Sequence, residues 1–419
     1  MRSVLRVWLA AGLAVVAVPE AAKAQASLHG FVQVNVDFRA TGADCPAGMA
    51  CDVMRSDQRL QLKFDLASPD GRAAAVARAD LFHDGIVDEV GIDLREAYLD
   101  LAARRFSARF GRQVVTWGLG DLVFINDVFP KDWVALLTGA PLEYLKLGSD
   151  ALKVGFYQGS LGAEAVIVPV FSPDQAPGPH RLFFFDPLPP LAERVTERPT
   201  AEFGHMQAAG RVYARVGRYE VAGYGSRGFF GMPGARLELS GLPRIIYIYP
   251  RLHTYGGSVQ GPLRAGVFSL EGGYYDSRDD RSGTDPSVEN SQVRWLAAYQ
   301  VQPREDLTLS FQYYAELMAH YRAYLDTLPL GLPARDRYRQ VVSARVAQFQ
   351  RHQTLRIGML FMVSPTDRDL YANPSIRYNV TDELWVELGS NIFWGESPHT
   401  FFGQFQENSG VFLVARYGF

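Results

Sequence analysis

Between residues 32 and 39 the chain alternates without a break: Val32, Val34, Val36 and Phe38 are apolar, and Gln33, Asn35, Asp37 and Arg39 between them are polar. A period of two is that of a β-strand, whose successive side chains point to opposite faces. Phe31 falls in phase with the polar row and is placed at the strand's entrance, near a rim. A second strand sets Leu60, Leu62, Phe64 and Leu66 against Arg59, Gln61, Lys63 and Asp65. A later one sets Leu307, Leu309, Phe311 and Tyr313 against Thr308, Ser310, Gln312, Tyr314 and Glu316. A row carrying Arg59, Lys63 and Asp65 needs water, and the Leu/Phe row behind it needs an apolar medium. A barrel with lipid outside and solvent inside satisfies both rows. Turning an arginine to the lipid midplane would cost about 2–4 kcal/mol, which fixes the register.

The two ends of the chain point the same way. Tyr417, Ala415, Leu413 and Val411 share one apolar face of a last strand; Arg416, Gly418 and Gly410 lie on the other with Val414 and Phe412, and Phe419 closes it. Outer-membrane barrels place such an aromatic in an interfacial girdle. At the other end Arg2 and Arg6 precede an apolar run from Val7 to Val18, and Ala22-Lys23-Ala24 offers a small-x-small cleavage site. This predicts a secretory signal peptide over residues 1–24, with an apolar run too short to cross a bilayer as a helix. Residues 25–419 are then expected to form one all-β transmembrane antiparallel up-and-down β-barrel in the outer membrane. The mean hydropathy of -0.07 carries no information here, because barrel strands average near neutral.

Turn signals divide the barrel region. Ser68-Pro69-Asp70-Gly71 is the clearest tight turn. Further short turns are expected near Ala102–Arg105, Gln158–Leu161, Gly217–Glu220, Gly261–Arg264, Pro303–Asp306, Gln350–Gln353 and Val380–Glu383. Long connections cover 41–55, 84–93, 118–149, 172–204, 231–248, 277–289, 319–338, 364–369 and 396–408. Alternating short and long connections is the barrel pattern. The tally is about 18 strands with both termini periplasmic. Sixteen stays open, because residues 161–171 and 250–261 are weakly patterned.

The connection 118–149 mixes apolar groups with Asp121, Asn126, Asp127, Lys131 and Asp132. It suits a segment folded inside the barrel to constrict a pore; an external lid packed on neighbouring loops is the other reading. Arg39, Arg59, Arg78, Arg211, Arg215, Arg294, Arg356 and Arg377 fall on polar rows. Facing a carboxylate-bearing segment, they would create a transverse field that sorts small polar solutes. Alternatively they pair with Asp65, Asp80, Glu96, Asp100 and Glu271 and select nothing. Arg109 and Arg112 lie on opposite faces of a regular strand, and a bulge at Gly111 would reconcile them.

Composition narrows the partners. The formal net charge of -3, without a clustered basic surface, gives no reason to expect nucleic acid. The 26 Phe and 20 Tyr suit aromatic belts at two interfaces. Beyond residue 24 the lysines are Lys63, Lys131, Lys146 and Lys153, so basic charge is almost all arginine. Cys45 and Cys51, close together in an exported chain, are expected to form a disulfide. The acidic run Asp80, Asp84, Asp88, Glu89, Asp93 lacks a calcium-loop template, and the eight histidines show no zinc spacing. With no nucleophile elbow either, no catalytic residue, metal or cofactor is nominated.

Gly111-Arg112-Gln113-Val114-Val115-Thr116-Trp117-Gly118, then Asn126-Asp127 and Pro130, resembles a family of porin-like bacterial outer-membrane proteins. Ser364-Pro365-Thr366-Asp367-Arg368-Asp369, Phe401-Phe402-Gly403-Gln404-Phe405 and the closing Ala415-Arg416-Tyr417-Gly418-Phe419 resemble the same family's C-terminal half. The resemblance implies a porin-like barrel and no particular substrate. A weaker similarity is to alginate-export barrels, which also carry a Gly-Arg-Gln strand; unlike TonB-dependent transporters, no plug domain precedes the first strand. The expected role is a passive channel for small polar or charged solutes. The alternative is a structural, partner-binding barrel of a secretion, motility, electron-transfer or polysaccharide-export assembly. Expected partners are outer-membrane lipid and lipopolysaccharide, and the barrel-assembly machinery through the last strand. A homo-oligomer or envelope-complex partner stays open.

Overall fold

The structure, a computed structural model, describes residues 25–188, 193–239 and 242–419. The signal peptide expected over residues 1–24 lies outside the described residues. The strands are β1 (Gln25–Arg39), β2 (Val53–Ala67), β3 (Ala73–Asp84), β4 (Glu89–Ala103), β5 (Phe106–Gln113), β6 (Ser149–Gln158) and β7 (Leu161–Val168). They continue as β8 (Glu193–Thr196), β9 (Gln207–Val216), β10 (Tyr219–Phe229), β11 (Gly234–Glu238), β12 (Arg244–Ile248), β13 (Arg251–Leu263) and β14 (Gly266–Ser277). The last are β15 (Gln292–Arg304), β16 (Leu307–Met318), β17 (Tyr338–Gln350), β18 (Leu355–Ser364), β19 (Asp369–Asn379), β20 (Leu384–Gly395) and β21 (Gly410–Gly418).

All but β8, β11 and β12 belong to one 18-stranded antiparallel sheet, in which β7 pairs with β9 and β10 with β13. It closes where β1 pairs with β21, Phe31 opposite Gly418 through Arg39 opposite Gly410. Gly30 and Phe419 extend that seam with two reciprocal amide–carbonyl bonds of 2.9 Å. A Cβ at Gly30 would lie 2.7 Å from the Phe419 ring and 2.6 Å from the Gln61 carbonyl, so only glycine lets the terminal ring close over the seam. The strand count is that expected from turn spacing. β8, β11 and β12 form a separate small sheet within connections that the sequence leaves as loops.

The belt inverts the burial of a water-soluble protein. Val32 is 47% exposed on the outer face, whereas Asn35 and Asp37 on the inner face are 0% exposed. Leu62, Phe64, Leu413 and Tyr417 continue the outer apolar row on neighbouring strands. Phe31 is not at a rim: it is buried in the interior with Ala135, Ala140 and Tyr144, under the Arg416 guanidinium 3.8 Å from its ring centre.

Short turns at 68–72, 104–105, 159–160, 217–218, 264–265, 305–306, 351–354 and 380–383 lie at one end. The first residues of β1 and the last of β21 lie there too. At the other end, the connections expected to be long at 84–93 and 364–369 shrink to 85–88 and 365–368. The strands run further than their polar sequence suggests, and Gly91 leaves room for the Phe82 ring across the ladder. The turn expected at Gly261–Arg264 falls later, because Gly261 and Pro262 still pair within β13–β14.

The register through Gly111 is continuous on both sides, so no bulge lies there. The shift is on β4, where Arg78 pairs with Glu96 and Ala79 with Leu94, leaving Arg95 extra. Such a bulge re-aims a side chain: Arg95 and Glu96, adjacent in sequence, are both buried. Gly111 has φ +120°, and a Cβ there would lie 2.2 Å from the Ala97 carbonyl of that same strand.

Candidate functional site

The residues joining β5 to β6 touch inner-face groups of strands all around the ring, which puts them across the bore. Val115 and Trp117 pack with Phe129 on Ala151 of β6 and Val166 and Val168 of β7. Glu271 of β14 accepts the Leu119 amide at 2.6 Å and both the amide and side-chain nitrogen of Asn126 at 2.9 Å. Asp121 reaches Gln312 of β16 and Arg345 of β17. The far side is held as firmly. Asn391 of β20 donates to the Leu137 carbonyl and Asn35 of β1 to that of Gly139. Arg55 of β2 donates to Thr138 Oγ1 at 2.7 Å, and Arg95 to the carbonyls of Glu143 and Lys146. Arg416 of β21 pairs with Glu143. Gly139, at φ +65°, seats against the Phe412 ring, where a Cβ would come within 2.4 Å.

Within the segment, most of the polar residues singled out from sequence hold its own fold. Asp132 caps the short helix Trp133–Leu137 by accepting the Ala135 amide. Asp127 is buried between two ammonium groups, Lys146 at 2.6 Å and Lys131 at 3.5 Å. Lys131 also donates to the carbonyls of Asp127 and Phe129 and lies 4.3 Å from the Phe124 ring centre. Burial pulls its ammonium below the ordinary range against the attraction of Asp127 and Asp174. Burial likewise pushes the Asp174 carboxyl up, although it accepts from Trp133 Nε1 at 2.9 Å and the Lys131 amide at 3.0 Å. Of the five segment residues nominated, Asp121 is the one whose carboxylate forms an ion pair with an arginine of the wall.

The wall arginines divide. Arg59 bonds Asp57 and Asp80, Arg78 pairs with Glu96, Arg211 with Glu164 and Arg377 with Glu387. Asp100 pairs with Arg109, Asp65 with Lys63, and Glu271 serves the segment's amides rather than an arginine. Arg39 belongs to the long-loop end, bonding the carbonyls of Cys51, Arg181 and Glu407. There Cys45 and Cys51 are joined as a disulfide. Arg215 is exposed next to the short turn at 217–218. Arg294 stacks 3.9 Å from the Tyr275 ring centre and lies 3.8 Å from Glu316. Arg356 stands opposite Arg377 in the β18–β19 ladder, and among the described residues no carboxylate comes within ion-pair distance of it.

Two interior cavities flank the segment. The outer, about 340 Å³, is lined by Arg294, Arg335 and Arg339 with Glu289 and Glu316, and by Phe124, Trp133 and Phe401. The inner, about 130 Å³ and nearer the short turns, is lined by Arg345, Arg356, Arg377 and Glu387 against Pro141 and Leu142. Among the described residues, Leu122 lines both.

No family model matches the chain, and no curated protein matches it in sequence. Solved structures are similar in fold. OccD3 (OpdP) of Pseudomonas aeruginosa has a TM-score of 0.55 at 11% identity, over 94% of this chain and 91% of its own. OccAB3 of Acinetobacter baumannii gives 0.55 at 11% identity, over 94% and 99%. A BenF-like porin from Pseudomonas fluorescens Pf-5 gives 0.55 at 8% identity, over 95% and 98%. The fold is that of the outer-membrane porin barrels.

In this barrel, Arg335, Arg339 and Arg345 reach the cavities without having stood out in the sequence. On β17 the inward row is Arg339, Val341, Ser343 and Arg345, with Val341 and Val342 both apolar. Alternation is lost there because Val341 belongs to an apolar cluster inside the barrel, with Leu296, Tyr314, Leu360 and Met362. A signal was still present: Arg339 and Arg345 are six apart, an even spacing that keeps them on one face.

Proposed function

We propose that this barrel is an outer-membrane channel for passive passage of small polar or charged solutes, with anions preferred. The observation that carries the reading is the arginine track along β15–β19. Arg294 and Arg339 line the outer cavity, and Arg345, Arg356 and Arg377 line the inner one. Guanidinium groups stay charged at any working pH and present forked donors that match carboxylate and phosphate oxygens. An anion moving between such groups exchanges one partner for the next, so binding is never deep enough to trap it. The segment between β5 and β6 narrows the bore against this track. In this reading the short turns and both ends of the barrel face the periplasm, and the long connections face outward.

Single-channel recording of the refolded protein in a planar bilayer tests the proposal. A salt gradient is expected to give a reversal potential on the anion side. Arg356→Gln should move it toward zero by removing a cavity-lining guanidinium that, among the described residues, forms no ion pair. A folded barrel that passes no current would overturn the channel reading. It would leave a partner-binding barrel of an envelope complex, the reading favoured by the apolar cluster filling part of the interior.

A further inference from the structure

Residues 119–126 form a small loop with two buried feet and a tip held by the wall. Both feet rest on Glu271, which accepts the Leu119 amide on one oxygen and the Asn126 amide on the other. Glu271 is 3% exposed, so water does not compete for these bonds. The tip is held differently. Gln312 accepts the Asp121 amide at 2.9 Å and donates to its carbonyl at 3.3 Å. Arg345 Nη1 lies 2.8 and 2.7 Å from the two Asp121 oxygens. This ion pair is open to solvent, with 29% of the arginine side chain and 37% of the aspartate exposed.

Between these contacts the backbone is forced. A Cβ at Gly120 would lie 2.1 Å from the Val123 carbonyl, so the turn is too tight for any other residue. Leu122 follows with φ +58°, a conformation that L residues with bulky side chains adopt only under constraint. The constraint puts the Leu122 side chain between the two cavities, against the apolar cluster of Tyr314, Leu360 and Met362.

We propose that 119–126 is a gate, with Leu122 as its closing residue and the Asp121–Arg345 pair as its latch, released by the anionic solute itself. This rests on the channel reading above. A solute shifts a two-state element only if it binds one state better than the other. Here Asp121 occupies Nη1 of Arg345, so an anion gains that donor only once Asp121 has left it, and binds the released state better. Arg345 shares the inner cavity with Arg356, Arg377 and Glu387, so an arriving anion meets three guanidinium groups, of which Glu387 already pairs with Arg377 and Asp121 of the tip with Arg345. The feet stay on Glu271 while the tip swings, and Leu122 gains a relaxed backbone when it leaves the bore.

The test is single-channel recording of the full refolded barrel with acetate as the probe anion. Leu122→Gly, which suits φ +58°, and Leu122→Ala should each raise conductance severalfold. Asp121→Asn should raise the open fraction and abolish its dependence on acetate. The charge exchange Asp121→Arg with Arg345→Asp should restore closing. A wild type that conducts, with Leu122 variants of the same conductance and acetate-independent opening, overturns the gate and leaves the channel standing. Silence from the wild type and the Leu122 variants alike, in barrels that retain β circular dichroism, overturns both.

Discussion

At the scale of single residues, Glu271 shows how a buried charge can be structural. Its carboxylate meets three N–H donors within 2.9 Å, all from the segment that crosses the bore. Glu271→Gln would keep one carbonyl oxygen and turn an amide N–H₂ toward another donor. Charge-assisted bonds of this kind contribute about 1.5–3 kcal/mol each, so a loss of about 3 kcal/mol is expected. Faster proteolysis within 114–148, on a barrel that otherwise stays folded, is the measurement. Sequence reading marked Asp127 and Lys131 as polar residues of a candidate constriction segment. It could not supply Lys146, the partner of Asp127, and a buried charge acquires its role from its partner. Arg356 reads like any other wall arginine until its neighbours are in place.

At the scale of elements, alternation was legible wherever one face meets lipid and the other meets polar groups. β2, β16 and β1 from Val32 on could be placed residue by residue. The pattern fades where the inner face is itself apolar: β7 carries Val166 and Val168 inward against Trp117 and Phe129, with Ile167 outward. It breaks at Arg95–Glu96, since a bulge sends neighbours the same way and leaves no compositional mark. The outward row of β21 makes a direct prediction. Leu413→Arg is expected to cost about 2–4 kcal/mol in folding into vesicles if it sits near the midplane. The seam is more sensitive to bulk than to charge. Gly30→Val should slow closure and reduce the folded, heat-modifiable band on a gel, because the added methyls meet both the Phe419 ring and the Gln61 carbonyl.

At the scale of the whole molecule, strand number and the end at which the short turns gather were both readable from turn chemistry. The small sheet of β8, β11 and β12 was not, because β8 pairs in parallel with a strand about fifty residues on. The segment's contacts were equally hidden, since Arg345 lies 224 residues from Asp121. Orientation can be measured directly. In intact cells, a maleimide too large for the bore should label Leu330→Cys on a long connection and leave Arg218→Cys on a short turn unmodified. The opposite result would place the long connections in the periplasm. With Cys45 and Cys51 oxidised, each introduced thiol is the reactive one.

The segment between β5 and β6 has a mechanical side. It is pinned to β14, β16 and β17 across one arc of the ring and to β1, β2, β4, β20 and β21 across another. An empty cylinder one sheet thick can flatten when the surrounding bilayer thins or is compressed sideways, and its bore then follows the lipid. A cross-brace turns the hoop into a spoked wheel. Flattening would have to stretch bonds to Glu271 on one side or to Arg55 and Asn391 on the other. The outline of the barrel is therefore a property of the chain, set by its own hydrogen bonds and carried from one membrane to another.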